Sequence, residues 1–300
     1  MLDSKLECFL AVAIEGSIRK ASERLNIAAS AVSRRITGIE EDLSVPLFER
    51  HARGLRLTEA GQIFADHARK VMRHESWALG EIEALRNLQR GQLRIYCVEG
   101  TISGLITPAI AAFRKKAPGV KLTVTRAGST GVMRAVAADE ADLGLAFDPP
   151  KHRDVTTVAD VPAPLYAVAA PDFDMPEGPI SLSDLARHPI SIPQDSSYGI
   201  RDVIDQGLRA RADVTLDPPM QCDSVYGLMG FALTGQGVTI LPKCCFAEEE
   251  ARGLVAARPI MDAPLSQSRI ALVSRLHRNL PPLTRRFCTI LAQVMRESVF

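Results

Sequence analysis

From Thr58 to Arg90 the chain reads TEAGQIFADHARKVMRHESWALGEIEALRNLQR, about thirty residues without a proline. Phe64, Ala68, Val71, Glu75, Ala78, Ile82 and Leu85 recur at alternating spacings of four and three. Glu75 apart, that is the apolar seam of a coiled coil. A helix of this length has too little neighbouring core to bury such a stripe within its own domain. The seam therefore predicts pairing with a second copy of the chain; packing on its own domain is the alternative. The helix also divides the chain into three: 1–58 before it, 59–90 the linker itself, and 91–300 after it.

Ahead of the linker, Leu6, Phe9, Leu10 and Ala13 recur at helical spacing. Gly16-Ser17 stops that helix and caps a second one, which carries Ala21 and Leu25. A third has Val32, Ile36, Ile39 and Leu43 on its buried stripe and ends before Pro46. LFERHARGLRLT then reads as two short strands around a tip at His51-Ala52-Arg53-Gly54. Three helices and a two-stranded wing make a winged helix-turn-helix.

Beyond the linker, LRIYCV, VKLTVTRA and ADLGLAF read as strands separated by two helices. This β-α-β-α-β order predicts an open, largely parallel sheet. A second such unit follows from LYAVAA to GVTILP. RIALVSR and PPLTRRFCTILAQVM have no sheet of their own nearby and are placed back in the first unit. The reading is an α+β multidomain chain. Its last part has two α/β lobes, about 91–162 with 268–300 and about 163–267, joined by a double crossover around a cleft.

The chain has 300 residues, 46% hydrophobic and 24% charged, with a net charge of +1. That is an ordinary globular composition, so any nucleic-acid surface must be local. No run approaches the roughly 18 apolar residues that span a bilayer. The opening MLDSKLECFLAVAIEG carries Asp3, Lys5 and Glu7 and lacks the pattern of a signal peptide. A cytoplasmic protein with no membrane partner is expected. Six cysteines without a C-x-x-C spacing are expected to be reduced thiols, with no metal and no cofactor.

Leu6 to Phe9, Gly16-Ser17, Ala21, Leu25, Ala31-Val32-Ser33, Ile36, Glu40, Leu43, Leu47-Phe48-Glu49-Arg50, Leu57-Thr58 and Ala60-Gly61 follow one another in order. On these residues the chain resembles a LysR-type transcriptional regulator, and GQLRI, FRKKAPGVKL, ADLGLAF and GQGVTILP extend the resemblance over its whole length. The resemblance implies a dimeric or tetrameric cytoplasmic regulator that binds a double-stranded DNA operator, with RNA polymerase a further candidate partner. It also implies a C-terminal domain that is similar to periplasmic binding proteins and accepts a small-molecule effector.

A recognition helix enters the major groove with its N-terminal residues at base edges. Here that helix runs from about Ala28 to Leu43. The family usually has a polar pair where this chain has Ala28-Ala29. Ala28 cannot cap, and Ala29 offers only a methyl. Readout is expected to shift to Ser30, Ser33 and Arg34. Arg34 either forks onto a guanine or clamps a phosphate. Arg35 lies on a different face and reads as a phosphate contact or a solvated charge. Ser17, Arg19 and Lys20 open the second helix, where amides and cations hold phosphates. In the wing, His51, Arg53 and Arg56 suit backbone or minor-groove contacts, ordinary hairpin charges being the alternative. Glu40, Glu41 and Asp42 are expected to point away from DNA.

In open α/β sheets ligands bind beyond the carboxyl ends of strands. Those turns hold Glu99, Gly100, Thr101 and Ser103, then Ser129 and Thr130, then Phe147 and Asp148. The second lobe adds Asp195, Ser196, Ser197 and Tyr198, then Asp223 and Ser224. Any one of these hydroxyls reads equally well as a helix cap. The convergence of five turns is what points to a site, and the resemblance places the effector cleft there. Glu99 is either satisfied by backbone amides at a helix N-terminus or, with Asp148 and Asp195, leans toward a donor-rich or zwitterionic ligand, with Arg201 opposing these charges or taking a carboxylate.

No nucleophile elbow, phosphate loop, dinucleotide fingerprint or metal-type histidine pair occurs, so an enzyme is not expected. A redox-sensing regulator of the same architecture is the alternative function. Cys97 and Cys222 both fall near strand ends facing the cleft, though a small buried cysteine is the plainer reading of each. The adjacent Cys244-Cys245 is poorly placed for a disulfide.

Overall fold

Three short helices and a hairpin open the chain: α1 (Ser4–Glu15), α2 (Ile18–Leu25), α3 (Ala29–Leu43), β1 (Phe48–His51) and β2 (Gly54–Leu57), followed by the long α4 (Glu59–Leu85). The computed structural model describes residues 4–51, 54–85, 91–194, 199–211 and 213–298. They fall into two compact units, Met1–Asn87 and Leu88–Phe300.

The start and stop of α2 are set by side-chain chemistry. The Ser17 hydroxyl accepts from the Lys20 amide, and Asn26 closes the helix in the left-handed conformation, its amide returning to Ser22 and Glu23 carbonyls. α3 begins at Ala28 without a side-chain cap, as its alanine dictates. Leu6, Phe9, Val12, Ala21, Val32, Ile36, Ile39 and Leu47 are buried together. The Phe9 ring lies 5.1 Å from that of Phe48 and 4.8 Å from that of Phe64. The wing is sewn to the α1–α2 turn, where the Leu55 amide donates to the Gly16 carbonyl at 2.8 Å. Gly54 (φ +124) must be glycine here, since a Cβ would sit 2.5 Å from that carbonyl.

The α4 stripe divides. Phe64 and Ala68 pack into the core of their own unit, whereas Val71, Ala78 and Ile82 are exposed. Ile63, off the expected seam, is 68% exposed. The first two seam positions therefore serve intrachain packing, and the apolar surface left open starts at Ile63 and continues at Val71. The Leu85 side chain lies outside what is described.

The second unit contains two five-stranded sheets. The first lobe begins with β3 (Gly91–Cys97), a 3-10 turn (Glu99–Thr101), a π turn (Ile102–Ile106) and α5 (Thr107–Arg114). It continues with β4 (Val120–Arg126), α6 (Ser129–Ala137), β5 (Leu143–Phe147) and β6 (Val155–Pro162). The chain then crosses to β7 (Leu165–Ala169), α7 (Leu182–Leu185), β8 (Ile190–Pro193), α8 (Gly199–Ala210), β9 (Met220–Cys222), α9 (Val225–Leu233), β10 (Val238–Pro242), α10 (Ala247–Ala251) and β11 (Ala256–Pro259). It returns through β12 (Arg269–Arg275) and ends in α11 (Pro282–Glu297).

Strand order is β4-β3-β5-β12-β6 in one sheet and β11-β7-β10-β8-β9 in the other. The β-α-β-α-β strands β4, β3 and β5 are parallel, as expected, but neither whole sheet is largely parallel. β12 runs antiparallel to both β5 and β6, because the returning chain enters the first lobe from the opposite end. β7 is likewise antiparallel to its two neighbours. The return is fixed by Asp142, which faces Arg94 and pairs with Arg278 at 2.6 Å. Phe287 of α11 stacks edge-on to Phe113 of α5 at 5.3 Å. Among the described residues no helix is long and apolar enough to cross a membrane.

Candidate functional site

Ser30, Ser33, Arg34 and Thr37 stand at i, i+3, i+4 and i+7 of α3, so they share one face. Ser30, Arg34 and Thr37 are exposed and Ser33 is half-buried, while Val32, Ile36 and Ile39 fill the core side. Thr37 belongs to this face by spacing alone; the sequence reading stopped one turn short of it. Arg35 is set apart. Its Nη1 lies 3.1 Å from Cys8 Sγ and 3.4 Å from the Ser4 carbonyl, so the guanidinium is turned onto α1.

At the head of α2, Arg19 and Lys20 are exposed, with Arg19 Nε 3.2 Å from Glu23. The Ser17 hydroxyl already serves as the cap. On the wing, Arg56 is exposed and lies opposite Glu49, which also takes His51 Nε2 at 2.8 Å. Arg53 lies outside the described residues. Glu40 is not a spare surface charge. Its Oε1 accepts from the amides of Leu47 at 2.7 Å and Phe48 at 3.1 Å. Glu41 and Asp42 are exposed, and Asp42 pairs with Lys5.

In the second unit, residues from both lobes converge on one cavity. Val98, Glu99, Gly100, Thr101, Phe147 and Ile270 come from the first lobe, and Ile200, Val225, Pro242, Cys244 and Cys245 from the second. The space between these walls, open solvent included, is roughly 350 Å³. Glu99 closes one side. One carboxylate oxygen accepts from Ser224 Oγ at 2.9 Å and the other from Arg126 Nη1 at 3.3 Å. Arg126 also donates to the Asp223 carbonyl. Each Glu99 oxygen thus already accepts one hydrogen bond from the protein.

The remaining hydroxyls are largely committed. Thr101 donates to the Val98 carbonyl at 2.8 Å and Ser129 to the Phe147 carbonyl at 2.6 Å. Ser103 and Thr130 are exposed. Arg201 is spent on Asp205 and the Pro193 carbonyl. Asp148 is half-buried in the left-handed conformation (φ 42). Burial, with a contribution from Asp202, pushes its carboxyl above the usual range. Asp195, Ser196, Ser197 and Tyr198 lie outside the described residues.

Residues 4–62 match the model of the bacterial regulatory helix-turn-helix protein, lysR family, and residues 86–296 match the LysR substrate binding domain. The chain belongs to the LysR family. It is a DNA-binding transcriptional regulator with a substrate-binding domain, not an enzyme. It is 25% identical to the Escherichia coli (strain K12) HTH-type transcriptional regulator YbhD over 98% of this chain and 92% of that protein. Full-length OxyR from Pseudomonas aeruginosa has a TM-score of 0.71 at 22% identity, covering 97% of this chain and 93% of that one. Full-length CbnR complexed with its target DNA has a TM-score of 0.63 at 20% identity, covering 98% and 99%. At those identities the two structures share the fold.

All six cysteines of this LysR-family chain are free thiols. Burial pushes the Cys97 thiol up to about 11, against a smaller opposing effect of its Thr101 contact. Hydrogen bonding with Cys244, then burial, pushes Cys245 well above its ordinary value. Burial also raises Cys288. The thiolate is the reactive form, and these sites suppress it. No group of three or more His, Cys, Asp or Glu side chains is placed to hold a metal among the described residues.

Proposed function

We propose that this regulator binds a two-half-site duplex as a self-associated particle, and that a small molecule held between its lobes sets that binding. The observation that carries the reading is the cavity whose walls come from both lobes and whose edge is tied by Ser224 and Glu99. A molecule seated there has differential contacts with open and closed lobes, which is what a shift between two states requires. Of the residues assigned to it, Glu99, Gly100, Thr101 and Phe147 line the cavity. Ser30, Ser33 and Arg34 read bases; Ser17, Arg19, Lys20 and Arg56 hold the backbone. Arg35, turned onto α1, is left out of the assignment. Pairing is assigned to the exposed Ile63, Val71 and Ile82 of α4, and RNA polymerase is the candidate protein partner.

A thermal-shift screen of metabolites on the full chain tests the reading, since a ligand of the native state raises the apparent Tm. A hit that also changes the Kd for duplex DNA supports it. Hits that leave DNA binding untouched contradict it. Redox sensing through Cys97 and Cys222, the second reading of the sequence, is weakened at Cys97, whose thiol burial pushes up to about 11.

A further inference from the structure

We infer that Glu40 is a positioning residue that fixes the recognition helix to the linker helix, and through that link sets the half-site spacing the protein accepts. The inference rests on the self-association proposed above.

The link runs through two consecutive peptide groups, Pro46–Leu47 and Leu47–Phe48. Glu40 Oε1, near the end of α3, accepts from the Leu47 and Phe48 amides at 2.7 and 3.1 Å. The Leu47 carbonyl in turn accepts from the Thr58 amide at 3.0 Å, one residue before α4. Thr58 Oγ1 donates to the Pro46 carbonyl at 2.8 Å and accepts from the Gly61 amide at 3.0 Å, which caps α4. The contact admits no slack: a Cβ at position 61 would fall 2.0 Å from the Leu47 carbonyl. Leu47 itself is 1% exposed and anchors the join in the core.

A carboxylate accepting two successive amides makes a charge-assisted, directional attachment. α3 is a rigid rod, and Glu40 lies ten residues from Ser30, or about 15 Å along the axis. A tilt of about 10° at Glu40 would carry the Ser30 end through roughly 2–3 Å on that lever. In a dimer held by α4, that displacement changes the separation of the two reading heads. Half-sites bound by such dimers are matched to the helical repeat of DNA, so the separation is selected.

The test uses the full chain and duplexes recovered by the parent from a random library, remade with the spacer lengthened or shortened by one or two base pairs. The quantity read is the ratio of Kd values between altered and native spacing. Glu40→Ala should lower that ratio by about threefold or more, because effects of one linked group on another appear as such differences. Glu40→Gln keeps a carbonyl acceptor and should hold the parent ratio. A merely structural role reduces active protein and weakens all duplexes alike, leaving the ratio unmoved. If Glu40→Ala fails to fold, Thr58→Val, at the other end of the link, should lower the same ratio. A parent ratio retained by the folded variant overturns the positioning role while self-association stands. A parent that binds every spacing alike overturns self-association and the inference with it.

Discussion

Ser224, at the head of α9, donates a 2.9 Å hydrogen bond to Glu99 of the other lobe instead of capping its own helix. Arg126 holds the second oxygen of the same carboxylate. The cleft is therefore tied at its edge by groups from both lobes. Ser224→Ala should cost about 1.5 kcal/mol, the lower range for a hydrogen bond to a charged group. Urea unfolding measures that loss. Native-state hydrogen exchange should quicken at the amides of Glu99 to Thr101. Unchanged exchange there would show that the bond does not restrain the cleft.

Stability should depend on pH through Asp142. Burial alone would raise its carboxyl, but Arg94 and Arg278 outweigh burial and hold it below the usual range. A carboxyl depressed in the folded state contributes stability above its unfolded pKa near 4, lost as pH falls through the folded value. Urea midpoints should drop between neutral pH and about pH 3. Asp142→Asn should flatten that slope and cost about 1–3 kcal/mol at neutral pH, because the buried Arg278 guanidinium loses one of its two carboxylate partners and keeps Asp139. An identical slope in the variant would assign the pH dependence elsewhere.

The Cys97 thiol should be unreactive. With Cys97 pushed up to about 11, almost none of it is thiolate at neutral pH. Brief hydrogen peroxide treatment should leave Cys97 unoxidised by mass spectrometry and the DNA Kd unchanged. A disulfide between Cys97 and Cys222 that altered DNA affinity would restore the redox reading.

Capping explains the cost of the alanine at the head of α3. Ala28 holds the extended cap conformation without a side-chain bond. Ala28→Ser should raise the unfolding free energy by about 1 kcal/mol. No gain in a thermal melt would mean that the helix end is satisfied in another way.

The fold class was legible because its signals are local. Leu6, Phe9, Val32 and Ile36 repeat at helical spacing and are buried where that spacing puts them. What escaped depends on contacts distant in sequence. The antiparallel insertion of β12 follows from where the chain re-enters, which no local pattern records. Phe64 and Ala68 fit the heptad and still pack inward, Phe64 with its ring 4.8 Å from that of Phe9. Glu40 read only as an acid pointing away from DNA because its acceptor role lies in amides seven and eight residues on. Glu99 suggested a ligand partner because Ser224 is 125 residues away.

The central claim is that the exposed face of α3 reads bases through Arg34. Binding-site selection from a random duplex library, run with the parent and Arg34→Ala, tests it most directly. The account predicts that the parent returns a defined two-half-site motif. Arg34→Ala should lose discrimination at one base position per half-site, at a cost of about 1–3 kcal/mol there. Uniform weakening on every sequence, with the motif intact, would make Arg34 a phosphate clamp and contradict the claim.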